Sequence, residues 1–211
     1  MLDSACAMTA HIRIRPARPD DAPLAAAVFR LSLDRLADYL FGADGRATEV
    51  ALIRLFSLNA GRFGYGSAFV AEWNRRPLGM MVAFPGADLN RLSLSVVKHL
   101  PRALGWNLFG FVARSLSLAN VKESEADEYY VSNLAILPAA QGQGLGKHLL
   151  LHAEEQARAH RLKKVSLMVA LDNSTALRLY KRQGYEIVLT KRDKNPLASY
   201  HRMVKNLNPL P

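Results

Sequence analysis

The chain has 211 residues, half of them apolar, with 28 Lys and Arg against 18 Asp and Glu, a formal balance of +10. Its 13 glycines and 10 prolines are too few for a disordered or collagen-like chain, and polar residues break every apolar run before the roughly 18 residues that a membrane-spanning helix needs. The positive charge is even, 14 basic against 9 acidic residues in both 1–120 and 121–211, so no basic arm marks a nucleic-acid binder and no nucleic acid is expected as a partner.

In chain order, residues 1–10 carry Asp3 and lack the basic start and apolar core of a secretory signal, so they are expected to fray. The single cysteine, Cys6, cannot form an internal disulfide and suits a reducing compartment, with the cytoplasm as the expected location. From residue 11 to 211 the length predicts one domain. Ile12 and Ile14 alternate with polar neighbours as in a short strand closed by Pro16. A helix capped by Asp20 or Asp21 should follow, with Pro23 in its first turn and Leu24, Val28 and Leu31 on its inner face. A second helix is expected over 48–59, and strands over 68–73 and 78–84 flank the turn Asn74-Arg75-Arg76-Pro77 as a hairpin.

Residues 86–127 are too many for a structureless loop in a compact domain. Leu89, Leu92, Val96, Val97 and Leu100 keep helical spacing up to Pro101, and Leu104, Leu108, Phe111 and Val112 keep it afterwards. This predicts a helical insert between the third and fourth strands, with five basic residues and no acid between Asp88 and Glu123. Burial of its apolar positions favours a lid or wall over a binding site. A homodimer contact, a membrane surface and nucleic acid are the other uses open to it. Beyond it, a strand over 128–137, a helix from Gly144 to about Arg161, a strand over 164–171 and a helix ending before Gly184 are expected. Strands over 186–190 and 200–204 close the chain.

Between the strand over 128–137 and the following helix lies Gln141-Gly142-Gln143-Gly144-Leu145-Gly146-Lys147. Glycines at alternate positions ahead of a helix expose backbone N–H groups to a phosphate. The spacing is wrong for a nucleotide-hydrolase loop, which needs glycine at Gln141 and a hydroxyl at His148, and for a dinucleotide fold, which needs glycine at Lys147. His148 and His152 lie four apart on that helix, but Leu149 stands where a zinc-protease motif has glutamate, so no metal is expected.

The run Val131 to Pro138 followed by Gln141 to Gly146, then Leu171-Asp172-Asn173-Ser174-Thr175-Ala176-Leu177-Arg178-Leu179-Tyr180 and Gly184-Tyr185, resembles the GNAT superfamily of acyl-CoA-dependent N-acyltransferases. The clear resemblance covers about residues 128–190. It implies an α+β fold in three αβα layers, with a mixed, mostly antiparallel sheet between helices. It also implies an N-acetyltransferase with acetyl-CoA as cosubstrate and a small-molecule or peptide amine as acceptor. By the same resemblance, Leu134, Ala135 and Ile136 run along the pantetheine arm, and Gln141, Gly142, Gln143, Gly144, Leu145, Gly146 and Lys147 form the diphosphate loop. Asn173 and Ala176 face the arm. Tyr180 protonates the departing thiolate, a transfer uphill by roughly 2 kcal/mol for a phenol near pKa ~10 and a thiol near ~8.5.

Glu128 is the expected general base, with Glu72 and Asp127 behind it. Family members that acetylate ribosomal-protein N-termini have a glutamate five residues before the motif asparagine, where this chain has Met168. A non-catalytic acyl-CoA-binding regulatory module on the same fold is the competing reading.

Overall fold

A computed structural model describes residues 12–42, 44–116 and 121–207; the fraying expected over 1–10 lies outside them. Seven strands, β1 (Ile12–Pro16), β2 (Ala68–Trp73), β3 (Arg76–Pro85), β4 (Tyr129–Ile136), β5 (Lys164–Ala170), β6 (Glu186–Lys191) and β7 (Tyr200–Asn206), form one sheet in the order β1-β2-β3-β4-β5-β7-β6. Only β4 and β5 are parallel neighbours, as their connection through a helix requires. The hairpin joining β2 to β3 turns through Asn74 and Arg75, both at positive φ, the geometry whose twist matches the flanking strands.

The helices are α1 (Ala22–Leu33), α2 (Arg35–Phe41), α3 (Gly45–Ser57), α4 (Leu89–Val97), α5 (Leu100–Leu104), α6 (Leu108–Leu116), α7 (Leu145–Ala159) and α8 (Ser174–Arg182). Strand alternation divides the core between two layers. Val70, Met80, Val82 and Tyr130 face α1 and α3 to α6, whereas Ala71, Met81, Ala83 and Val131 face α7. Two helices were expected before β2 and three occur: Asp34, at φ 47°, breaks the first run and starts α2. The expected insert is present as α4, α5 and α6 between β3 and β4, and Pro101 sits in the first turn of α5, where its missing N–H costs nothing.

One irregularity shapes the sheet. Val82 pairs with Asn133 and Ala83 with Val131, so Ser132 is an extra residue in β4, a bulge that bends the strand. Pairing of β4 with β5 stops at Val131 opposite Leu167, while β5 continues to Ala170 along β7. From Ser132 to Ile136 the β5-facing edge of β4 therefore has no strand partner.

Candidate active site

Where β4 and β5 part, a cavity of about 1070 Å³ opens. The α1–α2 junction, α4 and α6 form one side of it, and Leu134, the end of β5, Asn173, Ala176, Tyr180 and residues 196–200 form the other. The insert thus supplies a wall of the cavity, through Leu89, Val96, Leu100 and Phe111 among others.

A chain of polar side chains crosses this cavity beside the split. Arg62 donates from Nη1 and Nη2 to the two carboxylate oxygens of Glu123 at 2.7 and 2.6 Å, and from Nη2 to Ser132 Oγ at 2.9 Å. The Tyr130 hydroxyl donates to Glu123 Oε2 at 2.8 Å. Ser132 Oγ donates to Asn133 Oδ1 at 3.1 Å, and Asn133 Nδ2 donates to Ser32 Oγ at 3.0 Å. All six residues line the cavity. Burial alone would raise the Glu123 carboxyl, but the charge and hydrogen bonds of Arg62, with that of Tyr130, outweigh it and hold the group below the usual carboxylate range. A carboxylate stabilised in that way is a poor proton acceptor and a good fixed anchor.

The glycine-rich loop lies at the far end of β4, outside the cavity lining. Gly144 is left-handed at φ 87° and begins α7 with no side chain capping the helix, so first-turn N–H groups face outward with the positive end of the helix dipole. Gly146 sits at a close approach, where a Cβ would stand 3.2 Å from Leu179 Cδ2 and 3.9 Å from Ile136 Cγ1. That contact brings the start of α7, the end of β4 and α8 together. Gln141 Nε2 donates back to the Ile136 carbonyl at 3.1 Å, fixing the loop to the unpaired strand edge. Leu145 is buried, so only its main chain is available to a ligand, whereas Gln143 and Lys147 are exposed.

On α8, Asn173 caps the helix by accepting from Ala176 N at 3.0 Å. One turn on, Tyr180 is buried with its ring centroid 6.1 Å from that of Tyr185. Its hydroxyl makes no hydrogen bond among the described residues, and burial pushes it up to about 12.

The carboxylates expected to act as base are elsewhere, which corrects that part of the sequence reading. Glu128 is 2% exposed, and both its oxygens accept from Arg202 Nη2 while Oε2 also accepts from Glu125 N, so it is a structural ion pair outside the cavity lining. Glu72 is held by Arg15 at 2.6 Å and Asp127 by Lys164 at 2.8 Å, also away from the cavity. His148 and His152 have different partners, the Gly144 carbonyl at 3.0 Å and Glu155 at 3.3 Å, and do not converge. Sequence reasoning missed the chain from Arg62 to Ser32. Its members lie up to 101 positions apart; Glu123, Tyr130, Ser132 and Asn133 are near one another in sequence, but Arg62 and Ser32, which tie them together, are 61 or more positions away.

The acetyltransferase (GNAT) family model matches residues 44–185. A mycothiol acetyltransferase of Rhodococcus erythropolis is 38% identical over 110 residues, 52% of this chain and 31% of that protein. The curated relatives it matches are longer, and the matches span 28% to 40% of their lengths. Among solved structures, that of an acetyltransferase aligns with 93% of this chain and 100% of its own at a TM-score of 0.70 and 22% identity. The PaiA N-acetyltransferase of Thermoplasma acidophilum in complex with coenzyme A aligns with 93% and 99%, at 0.56 and 14%. These likenesses show the same fold as the one described above. With the family model covering the split strand, the loop and α8, the chain belongs to the acetyltransferase (GNAT) family.

Proposed function

We propose that the chain transfers the acetyl group of acetyl-CoA to a primary amine by direct attack. The observation that carries this reading is the parting of β4 from β5 between an uncapped helix N-terminus and a buried tyrosine. The residues fit the cosubstrate chemically. Main-chain donors from Gln141 to Lys147 suit a diphosphate, each contact being worth roughly 0.3–1 kcal/mol when exposed. The unpaired edge over Leu134, Ala135 and Ile136 suits the amide-bearing pantetheine arm, with Asn173 and Ala176 opposite. Bound there, acetyl-CoA supplies an activated thioester carbonyl.

The protein's own part is positioning and charge stabilisation. An N–H on the free edge of β4 would donate to the oxyanion, and the polar chain at Ser132 and Asn133 fixes that edge. As the C–N bond forms and the C–S bond breaks, the amine releases a proton and the thiolate gains one. With Glu123 committed to Arg62 and Glu128 to Arg202, water in the cavity is the acceptor of the amine's proton. Tyr180 is the donor that faces the leaving thiolate. Residence in the cytoplasm belongs to the same reading and rests on the single cysteine.

Calorimetry with acetyl-CoA, followed by thiol release in the presence of an amine panel, tests the reading. Binding with amine-dependent release supports it; absence of any heat of binding overturns it.

A further inference from the structure

Resting on the reading just given, the structure assigns the acceptor class: one amine carried on an elongated apolar body, and not a polyamine or other polycation. Beyond the polar chain, the wall carries Leu89, Val96, Leu100, Phe111, Val121 and Met168, with the uncharged Asn90, Ser93 and Ser115 between them. The apolar character continues to the outside. Leu31, Val97, Val112 and Leu116 line the cavity yet are 43%, 57%, 40% and 70% exposed, so they form its rim. An acceptor that reached the thioester from this side would lie along apolar surface from the interior to the mouth.

The charges point the same way. Among the described residues, the lining carries three carboxylates, Asp34, Glu123 and Asp172, and two guanidiniums, Arg35 and Arg62. Glu123 is held in both oxygens by Arg62. At the outer edge Arg35 reaches Asp172 at 2.5 Å and Asp34 at 4.0 Å. One negative charge remains over, at the most exposed of the three acids, which suits a single arriving ammonium. A second ammonium partway along the body, short of the outer-edge acids Asp34 and Asp172, would lie against the apolar side chains without a counter-charge, where an unpaired charge is strongly disfavoured. The volume, about 1070 Å³, is at the top of the range for small-molecule sites and has room for a long body beside the pantetheine arm.

The test uses straight-chain primary amines from butylamine to octylamine, with 1,6-diaminohexane and spermidine as polycations. Affinities are measured by calorimetry on the protein alone and on the protein saturated with CoA, and acetylation is followed in parallel. Affinity should rise about fourfold per added methylene until the cavity is filled, and 1,6-diaminohexane should bind at least about tenfold more weakly than hexylamine. In Val112→Glu, a change at the exposed rim, octylamine should weaken and 1,6-diaminohexane should tighten, with CoA affinity unchanged. A flat alkylamine series, or a diamine binding as well as hexylamine, would overturn the assignment. The amine titrations need no turnover, so they decide the acceptor class even if acetyl-CoA is neither bound nor consumed, a result that would instead remove the acetyl-transfer reading.

Discussion

Tyr180→Phe removes one hydroxyl and little else. The hydroxyl has no hydrogen-bond partner among the described residues, and the ring, 7% exposed, keeps its packing against Tyr185 and the α7 layer. The stability change should therefore stay within about 0.5 kcal/mol, or 1–2 °C in Tm for a chain of this size. Turnover is a different matter. With the hydroxyl pushed up to about 12, complete transfer of its proton to a thiolate of ordinary pKa ~8.5 runs uphill by about 5 kcal/mol, well beyond the roughly 2 kcal/mol expected for an unperturbed phenol.

In the proposed reaction the hydroxyl would therefore act chiefly by donating a hydrogen bond to the charge that develops on sulfur. Such a bond to a charged group is worth about 1.5–3 kcal/mol, so kcat should fall by about 13- to 160-fold while CoA affinity stays within about twofold. Thiol release at saturating acetyl-CoA, calorimetry with CoA and thermal melts of the same preparations give the three numbers. A kcat within twofold of the unmodified chain would refute the role, and a loss of activity accompanied by a Tm drop of many degrees would refute the claim that the hydroxyl is structurally idle.

Glu128→Gln separates a structural ion pair from a base. It leaves Arg202, 7% exposed, without its counter-charge, a loss of about 3–5 kcal/mol and on the order of 10 °C in Tm, with kcat of the folded protein little changed. A catalytic base would give the opposite pattern, a large kcat loss at unchanged Tm. On the alkaline side, burial raises the hydroxyls of Tyr129, Tyr130, Tyr180 and Tyr185. Their folded values lie above the unfolded value near ~10, so their contribution to stability is complete below that pH. It is lost as pH rises toward the folded values, at about 1.4 kcal/mol per pH unit for each group that ionises only on unfolding. Denaturant melts from pH 9 to 11.5, read with tyrosinate absorbance, should show stability falling as tyrosinate appears only on unfolding; tyrosinate forming in the native protein near pH 10 would contradict it.

The local elements were legible in the sequence because their signals are short-range. Period-two alternation marked β1 and β5, Asn173 as a cap and Gly184 at φ 83° bounded α8, and the spacing of Leu89 to Val112 required helices in the insert. Gly144 and Gly146 could be read as a loop against a helix start because glycine is the residue best suited to a left-handed turn, as at Gly144, and to a close approach of helices, as at Gly146. The break after Leu33 was missed because Asp34 at φ 47° is set by the packing of α1 and α2 and carries no glycine to announce it.

The assignment of carboxylates was beyond the sequence altogether. Glu123 and Glu128 are five positions apart with the same chemistry, yet Glu123 lines the cavity under Arg62 while Glu128 is buried against Arg202, 74 residues on. Which of two like charges meets substrate depends on which arginine the sheet brings beside each. Likewise the bulge at Ser132 opens β4 from β5 through pairing with β3, a strand encoded some fifty residues earlier. Sequence by itself determined most of the elements, the glycine-rich turn into α7 and the family, since propensity, capping and backbone conformation act over a few residues. The cavity, its apolar rim and the roles of its ionisable groups were decided by tertiary structure, because burial and charge pairing are properties of neighbours in space.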